Sequence, residues 1–172
     1  MTMALFDSTV ATFLQTLGAM EGVLARGFDH CRDNNLEPQD IVETRLHPDM
    51  LPFRFQVVST VKHSLGAIEG VRRGVYTPLP TPELDYNGLQ QLVSETREKL
   101  TDVTRDEIES FIGRDMKFEF HEHTVPFTAE NFLLSFSIPN FFFHASMAYG
   151  ILRSKGVPLG KRDFMGRLRI KR

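Results

Sequence analysis

The chain has 172 residues, 41% of them hydrophobic, which suits one globular domain with its own core; no apolar run approaches the roughly 18 to 20 residues of a spanning helix. A single cysteine, Cys31, excludes a disulfide framework, and the N-terminus lacks the basic start and apolar run of a signal peptide, so a cytoplasmic protein is expected. Net charge is −2, but residues 161–172 hold six Lys/Arg against Asp163, a local +5 that leaves −7 on residues 1–160.

Fifteen Phe, three Tyr and no Trp predict a Phe-rich core. Along the chain, Val10, Phe13, Leu14, Leu17, Met20, Val23, Leu24, Phe28 and Cys31 recur at spacings of three and four, predicting one amphipathic helix over Asp7–Asn34 with Asp7 or Ser8 as its cap. Asn34 and Asn35 end it, and Pro38 to Ile41 read as one helical turn in a long connection. A second helix is expected from about Pro52 to Arg73, stopped by Gly74, with Phe55, Val58, Val61, Leu65 and Ile68 on its apolar face. The three prolines from Pro78 to Pro82 demand an extended connector. Asp85 caps a third helix carrying Leu89, Leu92, Val93, Thr96 and Leu100 inward.

Thr104 and Glu107 have the spacing of a capping box, opening a short helix through Ile112 that Gly113 stops. From Met116 to Phe127 the period changes to two, predicting a small β-hairpin. Thr128 caps the last long segment, which Pro139 must kink or restart, and Lys155 with Gly156 ends it. The predicted fold is all-α: a four-helix bundle over residues 1–160 with a long first connection and a β-hairpin before the last helix, followed by a basic tail over 161–172. That tail is either solvated or docked on the acidic body of its own or a neighbouring subunit.

Asn140 and His144 lie four residues apart, hence on one helical face. With Gln56 they are the candidate ligand pocket: a buried cluster in which the three side chains satisfy one another and could receive a small polar molecule. His63, two turns beyond Gln56 on nearly the same face, is the candidate second metal ligand beside His144. His121 and His123 suit a His-x-His pair on a strand, with half-exposed strand residues as the plainer reading; His47 beside Pro48-Asp49 could reach the bundle mouth, and His30 sits near a helix C-terminus. The serines have no Gly-x-Ser-x-Gly context, Cys31 has no base beside it, no phosphate-binding glycine motif occurs, and no helix bears a basic stripe for nucleic acid.

The last helix, with His144, Leu152-Arg153 and Gly156, resembles that of the DinB/YfiT-like superfamily of four-helix bundles. A closer likeness is to a domain-of-unknown-function branch of it, carried by Pro48-Asp49-Met50, Gln56-Val57, Pro139 to His144 and Gly156 to Phe164. The resemblance implies the bundle fold and a homodimer. Metal-binding members use one histidine from helix 2 and two from the last helix; here Gln56 and Asn140 stand at two of those positions and only His144 remains. Amides are poor ligands for zinc or nickel, so no resident cofactor is expected, and if any binds it is a divalent ion such as zinc or nickel. The expected function is a bundle protein with a degenerate metal site kept as a polar pocket. The alternative is a metal-dependent transferase or hydrolase for a small thiol or amide, with His144 joined by His63, His47 or Asp49.

Overall fold

A computed structural model describes residues 4–171. The chain is mostly helical, with a small three-stranded sheet. Its helices are α1 (Leu5–Ser8), α2 (Val10–Asp33), α3 (Pro38–Val42), α4 (Phe53–Lys62), α5 (Leu65–Arg73), α6 (Tyr86–Thr101), α7 (Arg105–Glu109), α8 (Ala129–Asn131), α9 (Ile138–Ser154) and α10 (Lys161–Met165). The strands are β1 (Val75–Tyr76), β2 (Asp115–Phe120) and β3 (His123–Thr128). Helix α4 packs on α9 and α6, and α2 on α6 and α10. Among the described residues no helix is long and apolar enough to cross a membrane.

Local chemistry sets several of the helix ends. The Asp85 carboxylate accepts from the Gly88 N–H at 2.7 Å, and the Thr104 hydroxyl accepts from Glu107 N–H at 3.2 Å. Helix α9 closes in a Schellman turn: Gly156 takes φ +87°, its N–H donates to Arg153 O, and the Val157 N–H reaches back to Leu152 O, both at 3.1 Å. The core is Phe-rich as expected, with Phe13, Phe53, Phe132 and Phe141 fully buried and Phe53 stacked on the buried Tyr86. Tyr86 donates to Leu24 O at 2.9 Å and lies over Gly27, where a Cβ would stand 2.1 Å from the phenol oxygen; here a glycine is required for close approach.

Several expectations are corrected. The first helix does not start from an Asp7 or Ser8 cap: it begins at Leu5, breaks at Thr9 and resumes at Val10. The Asp7 carboxylate instead forms a bidentate pair with Arg105, at 2.7 and 2.8 Å. The second helix breaks at His63-Ser64, where the buried Ser64 hydroxyl donates to Val61 O at 2.9 Å. The short helix ends at Glu109 rather than Ile112, and the Glu107 carboxylate leaves the cap for Arg72, at 2.6 and 3.0 Å. The hairpin gains a third strand, β1, parallel to β2 with Tyr76 opposite Phe118. Finally, Phe132–Ser137 forms a wide π turn before α9. Pro139 has no N–H for the preceding turn, and that is the turn that widens.

The tail is not free. Helix α10 lies on α2, with Asp163 paired to Arg26 at 3.1 Å, Phe164 edge-on to Tyr149 and Gln15 donating to Met165 O at 3.0 Å. Beyond it, Arg169 donates to Asp7 O at 3.2 Å, so the basic tail docks on its own acidic body.

Candidate functional site

Gln56 stands in the first turn of α4, where it is 3% exposed, and His144 stands in α9, the helix against which α4 packs. The Gln56 Nε2 donates to the Leu51 carbonyl at 2.9 Å, and this fixes which way the amide points. Its Oε1 therefore faces His144 Nδ1 at 2.8 Å. An amide oxygen only accepts, so Nδ1 carries the proton and the neutral ring keeps its lone pair on Nε2. Burial pushes the His144 pKa down to about 4, keeping the ring neutral at physiological pH.

His63 joins this pair from the break between α4 and α5. Its ring lies 5.9 Å from that of His144 with the planes 12° apart, and Tyr76 stacks beside it at 5.8 Å while Phe136 meets it edge-on at 5.5 Å. Its Nδ1 is buried without a hydrogen-bond partner. Burial, with His144 and Lys62 nearby as lesser causes, lowers its pKa to about 4. Phe55 and Phe143 close the other side of His144 edge-on, at 5.6 and 5.2 Å. Two neutral imidazoles thus sit among aromatic rings, with acceptor or donor capacity unused on each.

Asn140 does not join the cluster as expected. Its Nδ2 donates to Phe136 O at 2.8 Å, one turn back in its own segment, which spends the amide on the π turn. His47 is exposed and pairs with Asp49 rather than reaching α9. His121 falls in the hairpin turn at φ +52°, so it and His123 do not share a strand face as a His-x-His pair would; both are exposed. His30 receives a contact from Asn34 at the end of α2, and Cys31 is fully buried, its thiol pushed up by burial first and then by Asp40. Sequence reasoning missed Leu51, Tyr76 and Phe136. A backbone carbonyl leaves no trace in a sequence, and Tyr76 arrives on a two-residue strand too short to signal itself.

The fold is that of a DinB-like protein. A crystal structure of a DinB family member protein from Shewanella denitrificans, at 1.83 Å resolution, superposes with a TM-score of 0.81 over 98% of this chain and 95% of that chain, at 20% identity. A family model described as a domain of unknown function (DUF1993) matches residues 5–165, and the chain belongs to that family. No curated protein matches the chain. The three-histidine metal centre that the resemblance implies does not fit the residues present. Among the described residues no group of three His, Cys, Asp or Glu side chains is placed to hold a metal ion, and the third donor beside His63 and His144 is a neutral amide already committed to two hydrogen bonds.

Proposed function

We propose that this protein is a DinB-like four-helix bundle, its four long segments being α1–α2, α4–α5, α6 and α8–α9, that binds a small polar molecule at the Gln56–His144–His63 cluster without a transition metal. The pocket is a degenerate metal site, and the protein works as a homodimer. The observation that carries this reading is the Leu51–Gln56–His144 relay. It locks His144 in the tautomer whose Nε2 accepts, beside a buried imidazole nitrogen with no partner. An aromatic-walled site with a few convergent polar groups is the usual form of a small-ligand pocket. A ligand offering a hydrogen-bond donor, such as an amide, alcohol or amine, meets the chemistry of that face.

Metal content after chelation and dialysis against zinc, nickel, iron or manganese, read by mass spectrometry on untagged protein, tests the reading. Substoichiometric metal in the wild type, unchanged in His144→Ala, is the expected result. A near-equimolar ion lost in His144→Ala would overturn it.

A further inference from the structure

Behind Tyr76, on the side of α5 and the Pro-rich connector, lies a cavity of about 330 Å³. This is within the lower range of small-molecule pockets, which run from about 300 to about 1,000 Å³. Its polar lining is Lys62, Glu69, Arg73 and Thr77, and its apolar lining includes Val75, Tyr76 and Leu79. None of the three charged side chains has an ion-pair partner among the described residues. Two cations against one carboxylate leave the cavity a net charge of +1.

The connector is tied over this space. Lys62 donates through Nζ to the Leu79 carbonyl, and Arg54 donates to the Pro82 carbonyl at 3.2 Å. Lys62 is half-buried along its stem, and its ammonium protons other than the one given to Leu79 are free for a ligand. Burial already lowers its pKa, which means that an anion would relieve a desolvated charge. Gly66 keeps the floor open: a Cβ there would meet only Lys62 Cβ, at 3.9 Å.

We propose that this cavity binds a small organic carboxylate, its anionic group held by Lys62 and Arg73 and its apolar body lying against Val75, Tyr76 and Leu79. A monoanion is the class that matches. A phosphate dianion would carry a second charge toward Glu69 without using the apolar wall; the guanidinium fork of Arg73 can hold either oxyanion, so the apolar wall and the single net positive charge are what select the carboxylate. The site lies beside the imidazole pair, sharing Tyr76 with it and setting the Lys62 charge near His63, but neither imidazole lines it.

The test is an amide chemical-shift titration of the whole chain with benzoate, with benzamide and inorganic phosphate as comparison probes. Saturable shifts at Gly66, Glu69 and Thr77 are expected with benzoate, and weaker ones with the other two. Lys62→Met and Arg73→Gln should each weaken benzoate binding roughly 10- to 100-fold, the usual effect of losing a charge-assisted hydrogen bond. Gly66→Leu should block it, and His144→Phe should leave it unchanged. If Lys62→Met does not fold, Arg73→Gln, at the exposed end of α5, carries the same comparison. Shifts that do not saturate or are scattered over the surface would overturn the proposal. So would benzamide or phosphate binding as tightly as benzoate, or affinity retained in both Arg73→Gln and Gly66→Leu.

Discussion

Gln56 holds His144 in a single tautomer, because its amide is itself oriented by the Leu51 carbonyl before it accepts from Nδ1. Replacing one member strands the other: His144→Phe leaves a buried amide oxygen unpaired, and Gln56→Leu leaves an imidazole N–H unpaired. Each single change should cost about 1–3 kcal/mol, and the double change Gln56→Leu with His144→Phe less than the sum. Urea denaturation of the four proteins measures the coupling. Strict additivity would show that the two side chains do not interact.

Acid should weaken the fold through the two imidazoles. Both have folded pKa values lowered to about 4, against the ordinary 6.5 of an unfolded chain. Between those values the unfolded chain binds more protons than the folded one, so the stabilisation is complete above about pH 6.5 and is lost as pH falls toward 4. The loss should be on the order of 2–4 kcal/mol for the pair, after discounting partly exposed His144 for solvent screening. A Tm series across this window, repeated in a double His63→Phe, His144→Phe variant, isolates it: the variant's profile should be flatter there.

Two helical glycines should respond in opposite directions. A Cβ at Gly70 would stand 3.0 Å from Tyr76 Cδ2 and 3.1 Å from its Cβ, so Gly70→Ala must push β1 away and should cost about 1–3 kcal/mol. Gly22, exposed in mid-helix with nothing within 4 Å, should give up to about 1 kcal/mol of stability as Ala. Thermal unfolding of both variants checks the pair, and a stabilising Gly70→Ala would contradict the packing of Tyr76.

The docked tail should contribute to stability. Phe164 packs on Tyr149, and Asp163 pairs with Arg26. Phe164→Ala should lower stability by about 1–2 kcal/mol, a Tm drop of roughly 2–8 °C for a chain of this size, while Asp163→Asn should change it by under about 1 kcal/mol. An unchanged Tm in Phe164→Ala would mean that the tail is undocked in solution.

What was legible in the sequence is what side chains do to their own backbone. The Asp85 and Thr104 caps, the glycine stops at Gly74 and Gly156, and the period-two run that became β2 and β3 are all local. What was not legible depends on distant partners. Tyr76 is a strand residue only because Phe118 lies beside it, some forty residues on, and the break at His63-Ser64 turns the imidazole toward Tyr76 and Phe136 where the apolar periodicity predicts an unbroken helix. Gln56 and His144, which the sequence pairs, do meet. Asn140, which shares the helical face of His144, does not join them, since a carbonyl four residues back in its own segment takes its amide.

The most direct test of the account is the protonation state of His144, read from its imidazole nitrogens by heteronuclear NMR between about pH 7 and about pH 4, with and without one equivalent of zinc. The account predicts a neutral ring protonated on Nδ1, titrating only near the acid end of that range and indifferent to zinc. Protonation near the ordinary histidine value, the opposite tautomer, or a zinc-induced shift of His144 and His63 together would contradict it.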